Sequence, residues 1–296
     1  MKIFKIVVIS SIFIGIIFIG VGIVSGATFS NVFNQAFDNV SYVLQDPLTY
    51  EEDIILLDVD VTTRNIVIEP SEDEYIHITY YQSDTEIWDI DLINQVLQIK
   101  LTNTNTWNSI FNWSFVSNAT LTLTIQIPEA QVFDAIVKTN TGDIKLSDFQ
   151  VLEELNLMTD TGRIEVKEIS CDDLILESDT GDINVKNVIV NNDITIDEST
   201  GTVEINNATS DGLFIEVNTG SIYLDDVISN KIDLETDTGT IKTTGLNLEN
   251  RTLNLETEIG NVKVNGQSQG SEYHITHSNA DFYLNANTDT GSIEIS

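Results

Sequence analysis

Residues 178–185 read Ser-Asp-Thr-Gly-Asp-Ile-Asn-Val, and related octapeptides recur throughout the second half of the chain. The copies are TNTGDIKL (139–146), TDTGRIEV (159–166), SDTGDINV (178–185), ESTGTVEI (198–205), VNTGSIYL (217–224), TDTGTIKT (236–243), TEIGNVKV (257–264) and TDTGSIEI (288–295). A fixed period of about 20 residues is typical of repeat proteins, in which each coil buries its apolar face by stacking on the next.

Apolar and polar residues alternate on both sides of each glycine. The residues two and four positions after the glycine, and five and seven positions before it, are nearly always aliphatic, which is strand periodicity. Another apolar residue usually follows seven positions after the glycine. The pattern predicts an all-β chain that forms a parallel single-chain β-solenoid (β-helix), with two strands and a third apolar corner per coil. A β-sandwich is the alternative, but its strands are joined by hairpins and do not keep one motif in register.

The repeated glycine lies between the two predicted strands of a coil. We expect it to supply a positive φ angle at a sharp corner, which disfavours β-branched residues. Earlier in the chain, residues 57–68 show the same alternation with Arg64 in the place of the glycine, which indicates a degenerate coil. Cys171, the only cysteine, is assigned to the variable loop between coils as a structural residue.

The N-terminus carries a candidate membrane segment. Residues 6–24 are uncharged and mostly apolar, which is just long enough for a helix that spans a bilayer. Lys2 and Lys5 precede it, so the positive-inside rule places the short N-terminus in the cytoplasm and the bulk of the chain outside the cell. We therefore predict a single-pass cell-membrane protein. The alternative is a cleaved signal peptide, with the small residues 25–27 as the cleavage site.

Four segments follow from these patterns. Residues 1–27 form the membrane anchor, 28–50 a juxtamembrane helix and linker, 51–135 degenerate β-strands with an N-terminal cap, and 136–296 the regular repeats with a C-terminal cap. The juxtamembrane helix is predicted from the helical spacing of apolar residues over 29–44. The aromatic-rich stretch 103–118 is assigned to the N-terminal cap, with a ligand-binding loop as the alternative.

Charge and motifs exclude several functions. The chain has 13 Lys and Arg against 47 Asp and Glu, a net charge of −34, which excludes nucleic acid as a partner. No nucleophile elbow or phosphate-binding loop is present. His274 and His277 would point to opposite faces of a strand, which disfavours a shared zinc ion. We predict no catalytic residues, no resident cofactor and no enzymatic activity.

One outward-facing column carries a candidate metal site. The residues four positions before the glycine include five acidic ones in successive coils: Glu177, Asp197, Glu216, Glu235 and Glu256. If coils stack in register, neighbouring members lie about 4.8 Å apart and repel one another. The hypothesis is that this carboxylate ladder loosely binds calcium or magnesium. The alternative is a solvated acidic face that tolerates the repulsion.

An N-terminal apolar segment, a strand that ends in proline (LTLTIQIP, 121–128) and serial Thr-x-Thr-Gly coils occur together in this chain. In this combination the chain resembles the bacterial β-strand-repeat family labelled "putative adhesin", a domain of unknown function, over residues 53–296. The resemblance implies a β-solenoid at the cell surface and supplies no catalytic residues.

These features predict a membrane-anchored extracellular β-solenoid that acts as a non-catalytic structural or adhesion module. Its partners would be the membrane, through the N-terminal helix, and an envelope polymer or a membrane protein. The alternative is a sensor or modulator of a membrane-embedded envelope-stress partner. A carbohydrate-active enzyme is less favoured, because the coils are short and lack the long loops that build a substrate groove.

Overall fold

The computed structural model describes residues 41–103, 121–278 and 282–296. Over these ranges the protein forms 24 β-strands and no α-helix, which confirms the all-β prediction. Two short strands, β1 and β6, pair with each other, and the other 22 strands belong to one continuous sheet. None of the described residues belongs to a helix that could cross a bilayer. The predicted membrane segment and most of the aromatic stretch 103–118 lie outside the described ranges.

The strands are β1 (Val43–Leu44), β2 (Leu48–Tyr50), β3 (Leu56–Val61), β4 (Asn65–Pro70), β5 (Ile76–Thr79), β6 (Tyr81–Gln82), β7 (Glu86–Ile93), β8 (Val96–Asn103), β9 (Thr122–Ile127), β10 (Phe133–Thr141), β11 (Ile144–Thr161), β12 (Ile164–Cys171), β13 (Asp173–Thr180), β14 (Ile183–Val190), β15 (Asp193–Thr200), β16 (Val203–Thr219), β17 (Ile222–Thr238), β18 (Ile241–Thr244), β19 (Thr252–Ile259), β20 (Val262–Val264), β21 (Gln267–Gly270), β22 (Glu272–Ile275), β23 (Tyr283–Thr290) and β24 (Ile293–Ile295). The end of the predicted juxtamembrane helix is extended, because β1 lies there and pairs with β6.

Each regular coil has three faces that pair in parallel with the same faces of the next coil. The first face precedes the repeated glycine, where Leu174 pairs with Ile194. The second follows the glycine, where Ile183 pairs with Val203, and the third begins at the predicted apolar corner. The parallel solenoid is therefore confirmed, and the third corner is itself a short strand segment.

The core is a set of inward-facing columns that run along the solenoid. The aliphatic columns are almost completely buried, as Leu174 and Ile183 illustrate at 0% exposure. A column of mostly threonines three positions before the glycine also faces inward, and the Thr159 hydroxyl donates to the carbonyl of Gly142 at 3.1 Å. Cys171 belongs to a buried column of the third face, so its assignment to a variable loop is wrong. Burial raises the pKa of its thiol to about 12, which leaves it unreactive.

The repeated glycine is required chiefly by close approach between coils. A Cβ atom at Gly181 would lie 1.8 Å from the carbonyl oxygen of Gly162, the equivalent residue of the preceding coil. The φ angle of Gly181 is 156°, at the margin of the region that favours glycine. The left-handed bend lies six residues further on, where Asn187 and Asn207 have φ angles of 55° and 56°. The predicted positive φ angle at the repeated glycine is therefore confirmed, and the coil makes its left-handed bend at this second column, where asparagine tolerates the conformation.

The last two coils do not stack in chain order. β23 pairs in parallel with β17 on one side and β19 on the other, and β24 lies likewise between β18 and β20. The coil of Gly291 is therefore inserted between the coils of Gly239 and Gly260. The outermost coil is covered by β22 and β21, which run antiparallel to β19 and β20 and form the C-terminal cap.

The N-terminal end has the same arrangement. The coil formed by β3 and β4 lies between the outer coil of β8 and β9 and the next coil, which begins with β10. β7 and β5 run antiparallel to β8 and β9 and cover the outer coil. Arg64 occupies the glycine place, as predicted, and its carbonyl accepts a hydrogen bond from Thr139.

A buried arginine lies at each irregular end of the array. The guanidinium of Arg64 forms an ion pair of 2.7 Å with Glu86, and both side chains are almost completely buried. Arg251 instead donates to the carbonyls of Asn247, Asn230, Tyr283 and Ser229, and it stacks on the ring of Phe282 at 4.0 Å. Burial lowers the pKa of Arg251 to about 10. These side chains satisfy carbonyl groups where the regular ladder stops.

Candidate functional site

The predicted carboxylate ladder forms on the first face, with one interruption. Glu177 is directly opposite Asp197, Asp197 is opposite Glu216, and Glu216 is opposite Glu235. All of these side chains are exposed. The next position holds Asn287, which separates Glu235 from Glu256. The prediction of five successive carboxylates is therefore wrong at Glu256, because the C-terminal coil is inserted there.

No three acidic, histidine or cysteine side chains of the described ranges lie close enough together to form a metal-ion cage. The four contiguous carboxylates of the ladder, Glu177 to Glu235, instead form an open row of like charges. Such a row attracts divalent cations through its potential and repels itself when they are absent. Loose cation binding by this row stays a prediction.

Melting temperatures test the cation prediction. We expect a higher melting temperature in millimolar calcium or magnesium than in chelator at the same ionic strength, because divalent ions would relieve the repulsion along the ladder. The triple variant Asp197→Asn, Glu216→Gln, Glu235→Gln should show no such gain. The prediction fails if wild type shows no divalent-specific gain, or if the triple variant gains equally.

Glu198 is a buried acid that the sequence analysis did not single out. It occupies the inward column that threonine fills in most coils, and its exposure is 0%. Its Oε1 accepts a hydrogen bond from the Thr200 amide at 2.9 Å, whereas Oε2 has no partner among the described residues. Burial raises the pKa of Glu198 to about 7. The signal in the sequence was the replacement of threonine by glutamate in the motif ESTG.

Glu198 should make stability depend on pH. Because its pKa is higher in the folded state than the ordinary value of 4.5, its protonated form favours folding. Its contribution is therefore fully present below about pH 4.5 and is lost as pH rises through about 7, with an upper bound of roughly 3 kcal/mol. Glu198→Gln should raise the unfolding free energy at about pH 8 by roughly 1–3 kcal/mol and leave it almost unchanged near pH 4. Urea unfolding at both pH values measures this, and an equal effect at both would contradict it.

A shallow groove of about 470 Å³ on the second face brings basic side chains together. Lys167 is directly opposite Lys186 in the next coil, and Arg163 lies nearby with Asp182 at 3.6 Å. Three carboxylates also line this groove, so it has no net charge. This cluster could not be predicted from one column of the repeat, because Arg163 lies in a different column from Lys167 and Lys186. The groove can form hydrogen bonds but offers no electrostatic selectivity.

Comparison with known proteins identifies the family. The sequence profile of the Toastrack DUF4097 family matches residues 54–192 and again residues 190–296. None of the proteins with curated functions matches the chain.

Solved structures with low sequence identity match most of the chain. A "putative adhesin" from Bacteroides fragilis is 14% identical, with 86% of this chain and 97% of that chain covered and a TM-score of 0.51, which supports the fold alone. A "putative adhesin" from Parabacteroides distasonis is 12% identical over 87% of this chain and 98% of that chain, with a TM-score of 0.36. A "putative cell adhesion protein" from Clostridium sporogenes is 12% identical over 84% of this chain and 98% of that chain, with a TM-score of 0.27. The two family matches together cover nearly the whole described solenoid, and the chain belongs to the Toastrack DUF4097 family.

Proposed function

We propose that the protein is a non-catalytic surface module that mediates adhesion. The observation that carries the proposal is the arrangement of its outward side chains. Coils that pair in register repeat each exposed position along the solenoid at about 4.8 Å, as in the row from Glu177 to Glu235. A regular array of this kind suits many weak contacts with a polymer or another surface, which together give avidity. The names of the structural neighbours are consistent with this role.

We also propose that residues 6–24 anchor the module in the cell membrane, with the solenoid outside. The support is the apolar sequence and the two preceding lysines. Protease added to intact cells should digest the solenoid, and the N-terminal sequence of the mature protein should begin near Met1. A soluble mature form that starts near Thr28 would contradict the anchor.

Adhesion itself is tested with cells that carry the full chain and matched cells that lack it. Attachment to other cells and to surfaces coated with envelope polymers should be several-fold greater for the cells that carry the protein. A shear-flow assay measures this directly, with the matched cells as the control. Equal attachment, together with an altered envelope-stress response, would instead favour the sensor or modulator alternative.

A further inference from the structure

A second, larger groove of about 880 Å³ lies beside the N-terminal end of the array, where four connections meet. These are the segment before β3, the β4–β5 and β9–β10 connections and the β7–β8 turn. Three large apolar side chains that line the groove are exposed: Ile55 by 48%, Tyr75 by 40% and Val132 by 36%. Apolar side chains gathered in one concave surface and rimmed by polar residues mark an interaction site.

The groove is held in shape by hydrogen bonds of its own backbone. The Ile55 amide donates to the carbonyl of Gln95 at 2.8 Å, which joins two of the four connections. The Tyr75 amide donates to Oδ1 of Asp73 at 2.9 Å and closes a tight turn. A preformed groove binds a ligand without first losing the entropy of ordering its walls.

The rim of the groove is strongly acidic. Its carboxylates are Glu51, Asp53, Asp73, Glu74 and Glu129, and none of the residues that line it is lysine or arginine. The amide of Tyr75 and the ring of His77 hold the pKa of Asp73 below its ordinary value, so this carboxylate stays charged. The complementary ligand is therefore cationic.

Gln131 adds a third feature that a ligand of the groove would match, besides the apolar lining and the acidic rim. Its side chain lines the groove and is only 9% exposed, and its Oε1 accepts a hydrogen bond from the Ile54 amide at 3.2 Å. Its side-chain nitrogen has no acceptor within the described ranges. This nitrogen is not itself buried, so it is a free donor in the groove wall, and a carbonyl oxygen on a ligand would accept a hydrogen bond from it.

We propose that this groove binds an extended segment of another protein in which lysine or arginine alternates with apolar residues. Basic side chains would face the acidic rim, apolar side chains would cover Ile55, Tyr75 and Val132, and a backbone carbonyl would accept from Gln131. A bare metal ion would use neither the apolar lining nor Gln131, and the carboxylates are too dispersed to surround one. The inference rests on the proposed adhesive function and gives it a contact point.

Peptide binding to the purified full-length protein tests the proposal. The probe is a fluorescein-labelled octapeptide of alternating lysine and leucine, compared with a lysine–serine peptide of equal charge and a glutamate–leucine peptide. Fluorescence anisotropy at physiological ionic strength should give a Kd at least about tenfold lower for the lysine–leucine peptide than for either control. Equal affinity for the two lysine peptides would overturn the proposal, because the apolar lining would then contribute nothing.

Matched variants separate the groove from the general negative charge of the protein. Asp53→Asn, Glu74→Gln, Glu129→Gln should weaken lysine–leucine binding at least about tenfold. The control variant Asp160→Asn, Asp237→Asn, Asp289→Asn removes the same number of charges from exposed positions outside the groove and the ladder and should change the Kd less than about twofold. Equal weakening in both variants would overturn the proposal in favour of non-specific attraction.

Two further results separate this inference from the adhesive function. Tyr75→Ser should reduce binding of the lysine–leucine peptide to the level of the lysine–serine peptide, with the melting temperature as a check on folding. If cells that carry the groove variant adhere normally, the groove is not the contact point and the inference fails while the adhesive function stands. If the peptide binds as expected but the protein confers no adhesion, the adhesive function fails while the groove stands.

Discussion

Replacing Gly181 with alanine should lower the free energy of unfolding by about 3 kcal/mol or more. The new methyl group would lie 1.8 Å from the carbonyl oxygen of Gly162, so the two coils would have to move apart. That separation would disturb the hydrogen bond that the Gly162 amide donates to the carbonyl of Thr180, now 2.9 Å, and the packing of the columns on either side. Urea-induced unfolding measures the loss.

Gly266 provides the matched control for this variant. Its φ angle of 75° is left-handed, but a Cβ atom there would meet no other atom within 4 Å. Alanine at Gly266 should therefore cost only about 1 kcal/mol, from backbone conformation alone. Equal losses for the two variants would mean that conformation, and not the approach of neighbouring coils, requires the glycine at the repeat corner.

Replacing Glu86 with alanine should cost about 3–5 kcal/mol. Glu86 is the buried ion-pair partner of Arg64 at 2.7 Å, and it also accepts a hydrogen bond from the Ser83 amide. Its removal would leave the Arg64 guanidinium buried without a counter-charge, beside the rings of Tyr42 and Trp88. Chemical denaturation of the purified variant gives the free energy directly.

A double variant that removes both charges shows whether the stability lost in Glu86→Ala comes from the unpaired charge of Arg64. The combination Arg64→Met with Glu86→Leu removes both charges and keeps most of the buried volume. It should recover most of the stability lost by Glu86→Ala, because apolar pairs often replace buried ion pairs without loss. The interpretation fails if the single variant loses less than about 1 kcal/mol, or if the double variant is no more stable than the single one.

The repeat predicted the interior of the solenoid well because each column has one physical role. Alternation fixed which side chains face inward, and the residues flanking Gly181 pair with their predicted equivalents in neighbouring coils. The positive φ angle at the repeated glycine was predicted correctly, but the close contact between glycines of neighbouring coils was not, because spacing alone does not reveal how closely two coils approach. The groove lined by Ile55 and Gln131 was also missed, since it is formed by irregular connections and not by the repeat.

Coil order could not be predicted from the motif. The coils of Gly260 and Gly291 carry nearly the same apolar columns, so either one can pair with the coil of Gly239. One signal was present in the sequence. Asn265-Gly266 is a typical two-residue hairpin turn, and it joins β20 to the antiparallel β21. That reversal indicates that the coil of Gly260 is the end of the array.

The inserted C-terminal coil has a consequence for the order in which the solenoid folds and frays. Most coils pair with equivalents 19 or 20 residues away, so they can form by local propagation. Ser296 contacts Thr243 across 53 residues, and the coil of Gly260 has no neighbouring coil until this last segment arrives. The longer loop adds only about 1 kcal/mol of closure entropy, but it makes the terminal coils form and open together. Since the N-terminal coil is inserted in the same way, neither end of this repeat array can unravel one coil at a time.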